Sequence, residues 1–162
     1  MSTAINNALS AKVLEEYVMP GWEGRQPVRP LYAAGKLFDW FDNEPRLFDR
    51  RLGIGGRDRS EHLLQFLNDM RCDDPLRASD LKRVEPTRSR VWKLHPQGLR
   101  IYGWFCEPGV FVAIEGALVE DTKNGSGLNN VKRKAVETFA SKHGLENTML
   151  KGDHRAIIHG QN

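Results

Sequence analysis

One stretch constrains the fold of this 162-residue chain more than any other: Arg90–Asp121, RVWKLHPQGLRIYGWFCEPGVFVAIEGALVED. Val91–Leu94, Leu99–Cys106 and Val110–Val119 are rich in β-branched and aromatic residues, which suit a pleated, half-buried surface. His95-Pro96-Gln97-Gly98 closes the first run and Glu107-Pro108-Gly109 the second. Runs punctuated this way predict successive antiparallel strands joined by tight connections. In the second run Leu99, Ile101, Gly103 and Phe105 alternate with Arg100, Tyr102, Trp104 and Cys106. In the third, Val110, Val112, Ile114, Gly116 and Leu118 alternate with Phe111, Ala113, Glu115, Ala117 and Val119. Both faces are mostly apolar, so one is expected to pack on helices and the other to be partly wet. Arg100 and Glu115 interrupt that surface. They are either a cross-strand ion pair or a functional feature.

The flanking text predicts helices. Ile5, Leu9, Val13 and Tyr17 make one stripe on a helix over residues 4–18, stopped by Pro20-Gly21. Ala33–Phe41 reads as a helical turn or two, and Gly53-Ile54-Gly55-Gly56 as a connector. Asp58-Arg59-Ser60-Glu61 has the form of a capping box, followed by a helix carrying Leu63, Phe66, Leu67 and Met70 on one side. Leu81–Glu85 is a candidate first strand halted by Pro86. After the exposed loop that follows Asp121, Asn129 or Asn130 can cap a last helix with Val131, Ala135, Val136, Phe139 and Ala140 on its apolar face. Gly144 stands at its C′ position. In the tail, Ala156-Ile157-Ile158 could add an edge strand or hang loose.

The order predicts an α+β fold: a small curved antiparallel sheet with helices packed on one face. The expected organisation is an N-terminal helical and loop extension over 1–56, an α+β core over 57–145, and a tail over 146–162. Cys72 and Cys106 are too few for a disulfide framework or a zinc motif and read as reduced core thiols. No apolar run approaches the ~18 residues a membrane span needs, and no export signal is recognisable, so a cytoplasmic protein without a membrane partner is expected.

The net charge of +3 is modest, but its distribution is uneven. Between Asp80 and Arg100 lie Lys82, Arg83, Arg88, Arg90, Lys93 and Arg100 against only Asp80 and Glu85. Such a surface suits a polyanion, nucleic acid above all, and is equally consistent with a solvated basic face.

From about Arg59 to Ser141 the chain resembles the RelE/HigB-like toxin superfamily, in particular its phage-derived branch. The likeness is carried by VWKLHPQGLRIYGWF, then GVFVAIEGALVEDTKNG, then NNVKRKAVETFA, in the order helix, patterned strands, apolar strand, loop, helix. It covers roughly half the chain. It implies a RelE/ParE-like core, metal-independent cleavage of mRNA, with the ribosome as a further partner, and a protein antitoxin, with no cofactor and no metal ligands. Arg100 corresponds to the arginine that contacts the scissile phosphate in active members, and Lys93 falls near a basic position on the preceding strand. The basic stretch that follows the apolar strand in the family is Glu120-Asp121-Thr122-Lys123 here.

Cleavage of RNA without a metal needs a base for the 2′-OH, cations for the phosphate and an acid for the leaving 5′ oxygen. Arginine suits the second task through its two-pronged, permanently charged fork. Histidine suits proton transfer near neutral pH. The catalytic candidates are therefore Arg100, Lys93, His95 and His154. Arg88, Arg90, Tyr102 and Lys123 are the substrate-binding candidates, Tyr102 as a platform for a splayed base or else as core. A non-catalytic inhibitor of the same fold, blocking a protein target, is the alternative. So is a partner-binding protein whose own extension covers the sheet.

Overall fold

The computed structural model describes residues 2–18, 28–72, 76–86 and 89–159. In chain order the described elements are α1 (Thr3–Ser10), β1 (Leu14–Glu16), β2 (Tyr32–Ala34), α2 (Gly35–Asn43), α3 (Arg59–Arg71), β3 (Leu81–Arg83), β4 (Trp92–Leu94), β5 (Leu99–Glu107), β6 (Val110–Leu118), α4 (Leu128–Lys142) and α5 (His154–His159), with short 3₁₀ turns between them. The strands form one sheet in the order β1-β2-β6-β5-β4-β3.

The α+β class stands, and the meander β4–β5–β6 is antiparallel as the turn residues require. Two particulars differ from expectation. Tyr32 and Ala33 of β2 pair parallel with Val112 and Ala113 of β6, so the sheet is mixed. Helices also cover both faces rather than one. On the first face Trp92, Leu94, Leu99, Ile101, Phe105 and Phe111 pack with Leu37 of α2, Leu63 and Leu67 of α3 and Ile157 of α5. On the second, Tyr102, Trp104, Val112 and Ile114 pack with Ile5 and Ala8 of α1 and Val136 and Ala140 of α4. A strand buried on both sides has no polar face, which is why β5 and β6 read as near-continuous apolar runs. Each large side chain removed from water here contributes about 1.5–3 kcal/mol. Trp104 is fully buried, and its indole N–H donates to Thr148 Oγ1 at 2.9 Å.

The strict alternation expected along β6 breaks at Ile114. Tyr102 faces Glu115 while Gly103 faces Ala113, so Ile114 is an extra residue in a β-bulge. Beyond it the faces exchange: Val112 and Ile114 join the second cluster, while Leu118, in the same phase by simple counting, joins the first.

The helix expected over 4–18 ends at Ser10. Lys12 at φ 58° turns the chain, Val13 N–H donates to the Ala8 carbonyl, and Leu14–Glu16 pairs with β2. Leu14 is buried, while Glu15 and Glu16 are exposed. A neighbouring strand thus supplies backbone partners that a longer helix would have supplied internally. Asp58 does cap α3, its Oδ1 accepting from Glu61 N–H at 2.9 Å. The Glu61 carboxylate lies 3.8 Å from Arg57 Nε. At the end of α4, Gly144 (φ 66°) lets Leu145 N–H reach the Ala140 carbonyl at 2.8 Å and Gly144 N–H reach that of Ser141 at 3.3 Å. That is the two-bond Schellman closure expected of a C′ glycine. Helix α4 begins one residue before Asn129, so neither Asn129 nor Asn130 is its cap; Gly127 occupies that position.

The Ala156-Ile157-Ile158 segment of the tail is neither an edge strand nor loose. Residues His154–His159 form α5, with Ile157 fully buried and its carbonyl accepting from Gly109 N–H at 2.8 Å.

Candidate nucleic-acid interface

The pairing of β3, β4 and β5 decides which charged side chains share a face. Lys82 faces Lys93, Lys93 faces Tyr102, and Tyr102 faces Glu115, one row across four strands. Two residues beyond Lys93 comes His95. By continuation of the Leu94↔Ile101 register it stands opposite Arg100. Lys82, Lys93, His95 and Arg100 therefore converge on the second face, at the end of the sheet beside the start of α4.

Glu115 does not neutralise Arg100. Its carboxylate accepts from Lys36 at 2.9 Å and from Lys132 at 3.4 Å. Arg100 faces Ala117 instead, and its Nη1 donates to the Leu99 carbonyl at 2.6 Å. The cations consequently act on one another. Burial, then Arg100, then Lys82 hold the Lys93 ammonium below its ordinary pKa. Burial pushes the His95 imidazole down to about 4, assisted by Arg100, Lys93 and Lys82. The guanidinium of Arg100 is itself lowered by burial and, with the highest intrinsic pKa of any side chain, keeps its charge. His95 is thus a neutral imidazole at pH 7 next to fixed positive charge. Its Nε2 is buried with no hydrogen-bond partner among the described residues.

Three candidates from the sequence, Arg100, Lys93 and His95, are brought together. His154 is not. Trp92 and Lys93 point to opposite faces of β4, and the His154 ring packs edge-on against Trp92 at 5.0 Å, with Nε2 3.3 Å from the Leu81 carbonyl. The whole sheet separates it from Lys93. Tyr102 is fully buried beneath α4, and its hydroxyl donates to Asn129 Oδ1. Burial lifts its phenol to about 12. It is core, and no base can stack on it. Arg90 lies before β4, at the end away from His95, where with Ser89 it borders a groove along α4. Lys123 is exposed in the loop leading into α4. Arg88 lies outside the described residues.

Sequence reasoning missed Lys82 as a member of this group, along with Asn129 and Asn130. Lys82, Lys93, Gly127, Asn129 and Asn130 border one cavity of about 660 Å³ with residues 83–86. The signal for Lys82 was the pairing of Leu81 with Leu94, which sets the two lysines opposite each other. Helix α1 lies elsewhere on this face: with His143 and Gly144 it borders a separate cavity at the far end of α4.

Among the described residues no group of three or more His, Cys, Asp or Glu side chains is placed to hold a metal ion, and no helix is long and apolar enough to cross a membrane. No family model matches the chain, and neither a curated protein nor a solved structure does.

Proposed function

We propose that the protein is a metal-independent endoribonuclease of the toxin type, acting on mRNA and restrained by a protein antitoxin. The observation that carries this reading is the convergence of Lys82, Lys93, His95 and Arg100 on one face, with Glu115 engaged by Lys36 and Lys132 instead. Within this group Lys93 and Arg100 are partly buried cations, which are costly unless an anion completes them. In this reading the Arg100 guanidinium grips the non-bridging oxygens of the scissile phosphate. Neutral His95 takes the 2′-OH proton, and the 2′ oxygen bonds to phosphorus as the P–O5′ bond breaks. Lys93, made more acidic by burial and then by Arg100 and Lys82, gives a proton to the leaving 5′ oxygen. The products are a 2′,3′-cyclic phosphate and a 5′-hydroxyl.

The second reading is a non-catalytic inhibitor of related fold acting on a protein target. The burial of Tyr102 favours it, since that removes the base platform a nuclease would use. Induced expression of the wild type and of Arg100→Ala separates the two. The nuclease reading expects growth arrest and RNA ends bearing cyclic phosphate from the wild type, both lost in Arg100→Ala. Equal arrest by both proteins without RNA cleavage would establish the inhibitor instead.

A further inference from the structure

The cationic cluster opens onto a longer feature. Helix α4 lies over β5 and β6, and two cavities follow one another along its flank as the two parts of a trough. One end is the cavity of about 660 Å³ bordered by Lys82, Lys93, Asn129 and Asn130. One helical turn on, from Asn130 to Lys134, begins a second cavity of about 960 Å³, bordered by Arg90, Lys134, Thr138 and Lys142. Asn130, Lys134, Thr138 and Lys142 form one exposed ridge at four-residue spacing on α4, and that ridge runs from the border of the first cavity along the second, while Val84 and Val91 are buried in the core.

The groups bordering the trough are mainly donors. Asn130 Oδ1 is taken by Arg133 at 2.5 Å and Asn129 Oδ1 by Tyr102, which leaves both amide nitrogens as donors beside the lysines. Of the carboxylates at the border, Glu137 is held by Arg133 at 2.9 Å, Glu85 has a partner of its own, and Glu146 stands exposed at the far end. A ligand matching this lining brings acceptors repeated along a line. We infer that the trough is a track for the sugar-phosphate backbone of a single-stranded nucleic acid several nucleotides long, entering from the Arg100–His95 cluster and running past Lys82 toward Lys134 and Arg90. A positively charged groove that follows the backbone is the usual means of holding single strands without regard to sequence.

This rests on the proposed substrate class but not on cleavage, and the test keeps the two apart. All-deoxy oligonucleotides lack the 2′-OH and cannot be cleaved by the proposed route. Fluorescence anisotropy with strands of about two, four and eight nucleotides, a range reaching the site sizes of known single-strand grooves, should show affinity rising with length for the wild type. Lys134→Glu should abolish the gain from the longest strand while leaving the shortest unaffected, and Lys82→Glu should weaken all lengths roughly tenfold. The slope of log K against log salt should fall by about 0.7 for each phosphate no longer engaged. Arg100→Ala should keep the length dependence, so a track without cleavage would be seen as such. Length-independent binding, no binding by the wild type, or unchanged binding by both lysine variants with intact circular dichroism would overturn the track. Tighter binding of a duplex than of a strand of equal length would overturn its single-stranded character.

Discussion

Two regions of this protein handle buried positive charge in opposite ways. At the start of α3, Arg59 is 7% exposed and its guanidinium meets the Glu120 carboxylate through Nη1 at 2.9 and 3.0 Å. Nearby Arg46 holds Asp121 at 3.0 Å. At the other region Lys93 and Arg100 are partly buried beside the neutral His95, and the one acidic side chain in the cross-strand row of Lys93 is occupied by Lys36 and Lys132. The first arrangement fastens α3 to the turn before α4 and balances the charge from within, although Arg59 Nε is buried with no partner among the described residues. The second is left charged, at a cost to the folded state, which the proposed phosphate-binding role would offset. The contrast teaches that buried arginine alone says little about role. The presence or absence of a matching carboxylate is what separates the two.

The comparison can be broken most severely by stability measurements. Arg59→Ala should cost about 2–3 kcal/mol, less than the 3–5 kcal/mol of a fully enclosed pair because the Glu120 side chain is 39% exposed and can be rehydrated. Arg100→Ala should stay within about 0.5 kcal/mol, because relief of mutual repulsion offsets the packing that the shorter side chain gives up. Urea denaturation reads both, and equal losses would erase the distinction. A smaller effect is expected where the two regions meet α4: Tyr102→Phe removes the bond to Asn129 and should lower stability by about 1 kcal/mol. An unchanged midpoint would mean that the bond does not hold the helix start.

A further test, of pH dependence, concerns His95. Its imidazole charges near 6.5 in the unfolded chain and only at about 4 in the folded one. The unfolded state binds more protons between those values, so stability falls as pH drops from about 6.5 through about 4. Lys93→Met removes one of the lesser causes. It should move the His95 titration, followed by NMR, modestly upward and soften the acid-side loss. A downward move would contradict the electrostatic picture.

Much of the architecture was legible from local chemistry. The three central strands, the Asp58 cap and the Gly144 stop depend on nearby residues, and they fall where turn and capping rules place them. The convergence of Lys93, His95 and Arg100 was legible because it follows from two-residue alternation across one short connection. Features that depend on distant partners were not. Leu14–Glu16 is a strand only because β2 lies beside it, and Ile157 is helical and buried only because the first face offers it a place. The bulge at Ile114 reverses a count that local pattern alone cannot correct. His154 and Tyr102 failed as candidates for a related reason. Chemical type is visible in sequence, whereas the side of the sheet and the helix overhead are not.

The parallel pairing of Tyr32 with Val112 also affects how the chain is made. During synthesis the early strand emerges with no neighbour on that flank, and must wait until nearly eighty further residues have left the ribosome before its ladder can close. Such late, non-local closure slows folding and leaves apolar segments open to chaperones in the interval. By the same logic, a chain cut back to begin at Arg57 would bare the outer edge of β6. It would behave as an adhesive fragment rather than as a smaller version of the protein.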